Sequence, residues 1–281
     1  MENETKIAFI TGASNGFGLH TTIALAKEGF QVIASMRNAK KRQRLEEEAH
    51  KDGVFHQIEV AELDITDFLA VDRVIENVLA RYGKIDILIN NAGFAQGGFA
   101  EETEIDDWKQ QFETNVFGTI AVTKAVLPSM REKGKGLIIN ISSISGHFGF
   151  PGLGPYAASK FALEGFSESL RLEMLPFGVK VVLIEPSSYR TDIWSKGIDL
   201  IKNDSDSPYA DFKEKMLQKV ERISETAGDP DEVVAAILKA VKTPSPKLRY
   251  PVGRGTKTMV RVKNLIPWNW LEKIVKKQFD K

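Results

Sequence analysis

Short runs of consecutive apolar residues alternate along the chain with stretches in which apolar residues recur every three or four positions. The runs are rich in Val, Ile and Leu with little polar alternation, which is typical of strands covered on both faces. The helical pattern fills intervals such as 18–28, 67–82, 107–131 and 157–175. This repetition predicts the α/β class, with a doubly wound parallel sheet and helices on both faces. The predicted strands are KIAFI (6–10), QVIASM (31–36), IEVAELD (58–64), IDILIN (85–90), GLIINIS (136–142) and VKVVLIE (179–185).

The alternation ends after residue 186. The segment 195–228 is polar and lacks a strand signal, although 208–224 could be helical, and we expect it to be a mobile lid over a ligand. Asp229 and Pro230 then predict the start of a capped helix. A turn-rich stretch follows, with one short strand candidate at 247–250. We predict one domain over 1–255 that includes the lid, followed by a basic C-terminal helical extension at 256–281.

Composition excludes several kinds of site and partner. The formal net charge is zero, which argues against nucleic acid as the main partner. The chain has no cysteine, so disulfides and thiolate chemistry are excluded, and its four histidines lie far apart, which predicts no metal site. No secretory signal is visible, and no apolar run approaches the roughly 18 residues of a membrane span. A cytoplasmic location is therefore expected.

The charge is concentrated at the end of the chain. Residues 247–281 contain ten basic and two acidic residues, which gives this segment a net charge of +8 and the rest of the chain a net charge of −8. Within NLIPWNWLEKIVKKQF, a helix would place Trp268, Leu271 and Val275 on one face. We favour a helix that docks on the domain or on a partner subunit, and we expect a homo-oligomer. Interfacial membrane binding through aromatic and basic residues is the alternative.

A glycine motif follows the first predicted strand. TGASNGFG (11–18) lets the backbone turn tightly and approach a pyrophosphate at the helix N-terminus, which predicts a Rossmann-type dinucleotide site. A glycine-rich strand–helix turn without a ligand is the alternative. The second strand ends in ASMRN, where NAD-selective chains carry an acid, and here Arg37 suits a 2′-phosphate instead. Asp64 ends the third strand and could bond the adenine or cap the next helix.

Polar motifs follow three later strands. NNAG (90–93) and SSISG (142–146) end strands, and YAASK opens the next helix with Tyr156 and Lys160 four residues apart on one face. Carboxyl ends of parallel strands meet at one sheet edge, so these motifs are expected beside the glycine turn. Tyr209 and Lys213 have the same spacing but no strand end or serine cluster, and we interpret them as an ordinary pair.

These motifs together resemble the short-chain dehydrogenase/reductase family, in the branch with TGxxxGxG, NNAG and YxxxK. The resemblance covers roughly residues 5–192, and the long C-terminal segment is similar to that of 17β-hydroxysteroid and retinol dehydrogenase-like members. The family's catalytic positions correspond to Asn115, Ser143 (with Ser142 adjacent), Tyr156 and Lys160. Its PGxxxT turn is present as PSSYRT with Thr191, where Ser187 replaces the usual glycine.

Together, the resemblance and the residues described above imply an oxidoreductase domain with a dinucleotide cofactor site. NADP(H) is expected in preference to NAD(H). The expected cofactor-binding residues are Gly12, Ser14, Asn15, Gly16, Phe17, Gly18, Arg37, Asp64, Ile65, Asn91, Ala92, Gly93, Tyr156, Lys160, Pro186 and Thr191.

The residues also fit the chemistry of carbonyl reduction and its reverse. Protonation of the developing alkoxide needs an acid, and Tyr156 can be both that acid and the base of the reverse reaction. A neighbouring Lys160 ammonium is expected to lower the tyrosine pKa, Ser143 to position the substrate oxygen, and Asn115 to hold a water in a proton relay or to satisfy a helix gap. We predict an NADP(H)-dependent oxidoreductase for an alcohol and a ketone or aldehyde. Aromatics after strand ends favour a bulky apolar substrate, and a catalytically silent dinucleotide-binding regulator is the alternative.

Overall fold

The computed structural model describes residues 5–189, 207–225, 227–263 and 265–279. Within them lies one parallel sheet of seven strands in the order β3-β2-β1-β4-β5-β6-β7, which confirms the predicted doubly wound α/β architecture. The strands are β1 (Ile7–Ile10), β2 (Gln31–Met36), β3 (Ile58–Glu62), β4 (Ile87–Asn90), β5 (Gly136–Ile141), β6 (Val179–Pro186) and β7 (Arg249–Val252).

Helices connect the strands in the way the apolar periodicity predicts. Asp229 caps one of them, because its Oδ1 accepts a hydrogen bond from the Asp231 amide at 3.0 Å and Pro230 takes the first helical position. The described helices are α1 (Gly16–Lys27), α2 (Gln43–Lys51), α3 (Phe68–Tyr82), α4 (Ile105–Phe112), α5 (Thr119–Glu132), α6 (Gly154–Glu173), α7 (Ala210–Glu225), α8 (Pro230–Lys242), α9 (Thr256–Lys263) and α10 (Trp268–Phe279).

The core has one layer on each face of the sheet. Side chains alternate along each strand, so Ala8 and Ile10 of β1 pack with α1, α2 and α8, whereas Ile7 and Phe9 pack with α3, α5 and α6. Strands buried on both faces explain the near-continuous apolar runs in the sequence.

The strand order reverses between β1 and β4, which lie side by side at the centre of the sheet. Chain that leaves these two strands moves to opposite sides and opens a crevice beyond their carboxyl ends. The sheet topology therefore fixes the place of the ligand site before any side chain is considered.

Several predicted boundaries differ from the structure, three of them for reasons that the contacts show. The helix expected over 107–131 is divided by a π-helical segment, Glu113–Gly118, between α4 and α5. The third strand ends at Glu62 rather than at residue 64, since Asp64 instead shapes the following turn. The last strand is Arg249–Val252 rather than 247–250, because its residues pair with Leu183–Pro186 of β6.

Among the described helices, none combines the length and apolarity needed to span a bilayer. The division of the chain at residue 255 and the cytoplasmic location stay predictions. Of the predicted lid, residues 195–206 and 226 lie outside the described residues, and 210–225 form α7.

Candidate active site

A cleft of about 1190 Å³ lies beyond the carboxyl ends of the central strands. Gly18 and Asn115 do not line it but support its wall, and Thr191 lies outside the described residues. The predicted residues that line this single cleft are Gly12, Ser14, Asn15, Gly16, Phe17, Arg37, Asp64, Ile65, Asn91, Ala92, Gly93, Ser143, Tyr156, Lys160 and Pro186.

The glycine turn forms the floor of the cleft between β1 and α1. Gly12 has φ +69°, a conformation that glycine adopts without strain. A Cβ on Gly18 would overlap the Gly12 carbonyl oxygen and stand 2.5 Å from Asn91 Nδ2. That Asn91 amide donates to the Thr11 and Gly12 carbonyls at 3.0 Å, so the NNAG motif holds the turn in place.

The end of β2 forms the far end of the cleft. Arg37 is exposed there beside Asn38 and Lys41, which also line the cleft. Met36 by contrast is buried, with 1% of its surface exposed, and it packs in the core. The far end of the cleft therefore carries positive charge, and the buried Met36 also lines it.

Asp64 does not cap the next helix, which was one of its two interpretations, but shapes the turn before it. Its Oδ1 accepts hydrogen bonds from the Thr66 amide at 3.0 Å and from the Thr66 hydroxyl at 2.8 Å. The residue also lines the cleft, so a contact of Asp64 with the adenine stays a prediction. Asp67, three residues on, is the N-cap of α3.

Tyr156 stands at the first turn of α6, buried and hydrogen-bonded to Ser143. Burial raises the pKa of Tyr156 to about 12, although the Ser143 hydrogen bond works in the opposite direction. Burial outweighs that hydrogen bond. The phenol therefore holds its proton throughout the neutral range. A lowering of this pKa by the Lys160 ammonium when the oxidised cofactor is bound stays a prediction.

Lys160 follows one turn later and is also buried. Its Nζ donates to the Ile141 carbonyl at 2.8 Å and lies 5.7 Å from the centroid of the Tyr156 ring. Burial lowers the pKa of Lys160 to about 8, while Glu164 on the next turn acts in the other direction. The amine is thus held at the end of β5, with a pKa close to neutrality.

Asn115 lies in the π-helical segment, where the irregular backbone turns its side chain towards two neighbouring elements. Its Oδ1 accepts from the Phe94 amide at 3.1 Å, and its Nδ2 donates to the Phe94 carbonyl at 3.0 Å and to Ser159 Oγ at 3.2 Å. The side chain therefore ties the end of the NNAG segment to α6. π-helical turns occur frequently at functional sites.

Sequence reasoning missed a buried charged cluster behind Tyr156 and Lys160. Arg249 on β7 contacts Glu164 on α6 at 3.0 Å and Glu185 on β6 at 3.1 Å. His147, in the loop after Ser143, lies 3.1 Å from Glu185. Burial, followed by the neighbouring Glu185, raises the pKa of Glu164. The one sequence signal was the position of Glu164, four residues after Lys160 on the same helix face.

One imidazole nitrogen of His147 and one carboxylate oxygen from each of Glu164 and Glu185 lie within 4.8 Å of one another, which is the spacing of ligand atoms around a cation. The guanidinium of Arg249 supplies positive charge between the two carboxylates. The cluster connects the Ser143 loop, α6, β6 and β7, so it fixes the loop that carries the serine relative to the helix that carries the tyrosine.

The second tyrosine–lysine pair lies outside the cleft, as predicted. The Tyr209 hydroxyl donates to Glu101 at 2.7 Å, and its ring stacks on Phe99 with 4.5 Å between centroids. Neither Tyr209 nor Lys213 lines the cleft. The pair attaches the start of α7 to the loop after β4.

The replacement of glycine by Ser187 after β6 is accommodated by another glycine. Gly253 has φ +116°, and a Cβ there would overlap the Ser187 side chain. The Ser187 amide donates to the Val252 carbonyl at 3.0 Å, which extends the pairing of β6 with β7. The turn after β6 is therefore anchored through Tyr189, where the described chain stops before Thr191 and Trp194.

The pattern of the family described as "short chain dehydrogenase" matches residues 6–199. The chain is 48% identical over 276 residues to the uncharacterized oxidoreductase YusZ of Bacillus subtilis, which covers 97% of this chain and 98% of that protein. It is 34% identical over 271 residues to a 3-ketodihydrosphingosine reductase of Bacteroides thetaiotaomicron, with 96% of each chain covered. It is also 34% identical over 283 residues to an NADPH-dependent 3-dehydrocapnine reductase of Ornithobacterium rhinotracheale, with 98% of each covered.

Solved structures show the same fold. A short-chain dehydrogenase from Streptomyces avermitilis has a TM-score of 0.80 at 34% identity and covers 99% of this chain and 96% of its own. ElxO with NADP bound has a TM-score of 0.75 at 25% identity and covers 90% of this chain and 99% of its own.

Proposed function

Starting from a chain that belongs to the short-chain dehydrogenase family and is an oxidoreductase, we propose an NADPH-dependent reductase of a ketone or aldehyde, with Tyr156 as general acid. The observation that carries the proposal is one cleft that joins Ser143, Tyr156 and Lys160 to the glycine turn. In the reverse direction Tyr156 would be the base that takes the alcohol proton.

The cleft suits a dinucleotide phosphate. The backbone approach at Gly12 and Gly18 leaves no room for a Cβ, the N-terminus of α1 faces the cleft, and Arg37 offers a guanidinium at its far end. Pyrophosphate would lie on the glycine turn and the 2′-phosphate on Arg37. A bound NADPH supplies the hydride of the reduction.

The chain's own residues would manage the proton. The neutral phenol of Tyr156 donates its proton to the carbonyl oxygen as that oxygen gains negative charge, and Ser143 donates a hydrogen bond to the same oxygen. Lys160 then stabilises the phenolate by its charge. We propose that Asn115 fixes the backbone at Phe94 and α6 at Ser159. These contacts would keep in place the groups through which Tyr156 regains its proton.

For the substrate we propose a bulky apolar ketone, with a long-chain 3-keto amine as the first compound to test. Two relatives are named for the reduction of 3-ketodihydrosphingosine and 3-dehydrocapnine. Phe94 and Tyr189 line the described part of the cleft and would offer apolar contact to such a molecule. We also propose that residues 195–228 form the lid over this substrate.

A catalytically silent dinucleotide-binding regulator is the competing function. It would need the cleft for binding but would not need the Ser143–Tyr156 hydrogen bond. Turnover with a panel of ketones, long-chain 3-keto compounds included, separates the two functions, because a silent protein would bind NADPH without oxidising it.

The test of the catalytic assignment is Tyr156→Phe, with Tyr209→Phe as the matched control. Removal of the phenolic proton should lower turnover by more than ~10²-fold while NADPH binding, measured by fluorescence titration, is retained. The control should stay within about threefold of wild type, because Tyr209 bonds Glu101 outside the cleft. Equal losses in the two variants would refute the assignment.

The cofactor preference is tested at Arg37. A charge-assisted hydrogen bond contributes ~1.5–3 kcal/mol, so NADPH should be preferred over NADH by roughly 10- to 150-fold in kcat/KM. Arg37→Ala should remove most of that preference, whereas Lys40→Ala, an exposed cation that does not line the cleft, should preserve it. A wild-type enzyme without a preference for NADPH would show that Arg37 does not bind the phosphate.

An acid introduced at Met36, the position that NAD-selective chains use, is a poor reciprocal test in this protein. Met36 is buried in the core, and an unpaired carboxylate there would destabilise the fold. Arg37→Asp places the acid at the exposed neighbour instead and should favour NADH.

We also propose a homo-oligomer. Phe117 at the end of the π-helical segment, and Leu172 and Leu175 at the end of α6, are large apolar side chains exposed in the single chain. Multi-angle light scattering of the full chain measures the state, and a monomer at micromolar concentration would contradict the proposal.

A further inference from the structure

The C-terminal helices expose large apolar side chains. Trp268 and Trp270 of α10 are 66% and 62% exposed, and Leu265, between α9 and α10, is 79% exposed. Indole rings are usually well buried in folded domains, and exposed apolar groups that cluster mark interaction sites. Docking of α10 on its own domain, one of the favoured sequence interpretations, would have covered the two tryptophans.

Positive charge surrounds these apolar groups. The ten basic residues of 247–281 face only two acidic ones, although the whole chain is neutral. On α10, Trp268, Leu271 and Val275 recur at intervals of three and four on one face. Trp270 and Lys273 lie on the other side of the helix, and Lys276 lies at the boundary between the two sides. The exposed cations of the described segment are Arg254, Lys257, Arg261, Lys273 and Lys276.

The segment is attached to the active-site loop. Lys263 at the end of α9 donates to the His147 carbonyl, and its ammonium lies 5.4 Å from the Phe148 ring and 5.0 Å from the Phe161 ring. His147 and Phe148 follow Ser143 by four and five residues. The exposed tryptophans therefore belong to a segment fastened beside the site, rather than to a remote tail.

We propose that residues 254–263 and 265–279 form an interfacial binding surface for anionic lipid headgroups. The indole of Trp268, on the same face as Leu271 and Val275, combines apolar area with an N–H donor, which suits the boundary between headgroups and acyl chains. The indole of Trp270 would lie beside Lys273 at the level of the headgroups. The five cations would bind lipid phosphates and carboxylates, and they attract the segment to a negative surface.

A second copy of the chain fits the same surface less well. The acidic body of a second copy would attract the cations, but the indoles also need an apolar layer next to the charges. A bilayer provides the charges and the apolar layer together, because its headgroups lie directly above the acyl chains. The inference does not depend on the proposed reaction, because adsorption to lipid needs neither cofactor nor turnover.

The test is co-sedimentation of the full chain with large vesicles of phosphatidylcholine, with and without phosphatidylserine, at low and high salt. Binding should require the anionic lipid and should weaken with salt, and tryptophan emission should shift to shorter wavelength on binding. The variant Lys273→Glu/Lys276→Glu should lose at least ~tenfold in vesicle affinity. The variant Trp268→Ser/Trp270→Ser should also lose at least ~tenfold, because it removes apolar insertion.

Two control variants separate this surface from general effects. Lys133→Glu/Lys135→Glu makes the same charge change at exposed lysines on the opposite end of the sheet, and Leu69→Ser removes an exposed apolar group from α3. Both should bind vesicles within about twofold of wild type. No binding to anionic vesicles at low salt, or equal losses in tail and control variants, would overturn the proposal. A tail variant that changes the mass in light scattering but not vesicle binding would assign the surface to a second copy instead.

Discussion

Replacement of Glu164 by glutamine should change the pH dependence of the reaction through Lys160. The two residues lie one turn apart on α6, and the carboxylate favours the protonated form of the lysine, whose pKa is about 8. Without that negative charge the lysine pKa should fall, so Lys160 should lose its proton at a lower pH. The alkaline limb of kcat/KM for carbonyl reduction should then move towards lower pH.

The size of the effect follows from the helix geometry and from the cluster. Two unit charges ~6 Å apart, at an effective dielectric constant of ~20, interact by about 3 kcal/mol, equivalent to ~2 pKa units. Arg249 neutralises part of the Glu164 charge at 3.0 Å, and Glu185 and His147 lie against the same carboxylate. We therefore expect the limb to move by about 0.5–1 pH unit.

The assay is the pH profile of kcat/KM with NADPH and a ketone substrate. Glu168→Gln is the matched control, since Glu168 binds the same Arg249 side chain at 2.6 Å but is largely exposed. The control should leave the limb in place. A Glu164→Gln profile that keeps the wild-type limb while activity falls at every pH would refute the electrostatic reasoning and leave a packing role only.

Two further changes test the frame of the site. Gly18→Ala should abolish NADPH binding and lower the midpoint of thermal unfolding, because its Cβ would overlap the Gly12 carbonyl; Gly165→Ala on α6, where nothing lies within 4 Å, should instead stabilise by ~0.5–1 kcal/mol. Hydrogen exchange of residues 207–225 should slow when NADPH and a ligand bind together, and equal protection in both states would contradict a lid.

The strand positions could be predicted well because burial on both faces leaves a local signal. β1, β2 and β4 to β6 carry runs such as IAFI and VVLI, in which each residue is apolar whichever face it points to. The glycine turn and YAASK were likewise recognisable, since their spacing reflects contacts within one turn of chain. Both signals come from neighbours in sequence.

The charged cluster could not be predicted because its members are distant in sequence. Arg249 meets Glu164 across 85 residues, and no local pattern relates β7 to α6. The raised pKa of Tyr156 has the same origin, since burial by elements distant in sequence causes it. Met36 shows a third kind of limit, because the end of a strand can be recognised in the sequence but the near-complete burial of its last residue cannot.

The π-helical segment at Glu113–Gly118 also sets how α4 is turned relative to α5. An α-helix advances about 100° per residue, so one residue more or less between two packed helical stretches is a rotation of one relative to the other. Because of that rotation, α4 places Asp106, Lys109 and Gln110 at the cleft, whereas α5 packs one face against β4 and β5. A deletion of one residue here would restore regular helix and swing the α4 wall away from the cleft. The width of the cleft therefore depends on the number of residues in this segment, and no single side-chain replacement would change the width in the same way.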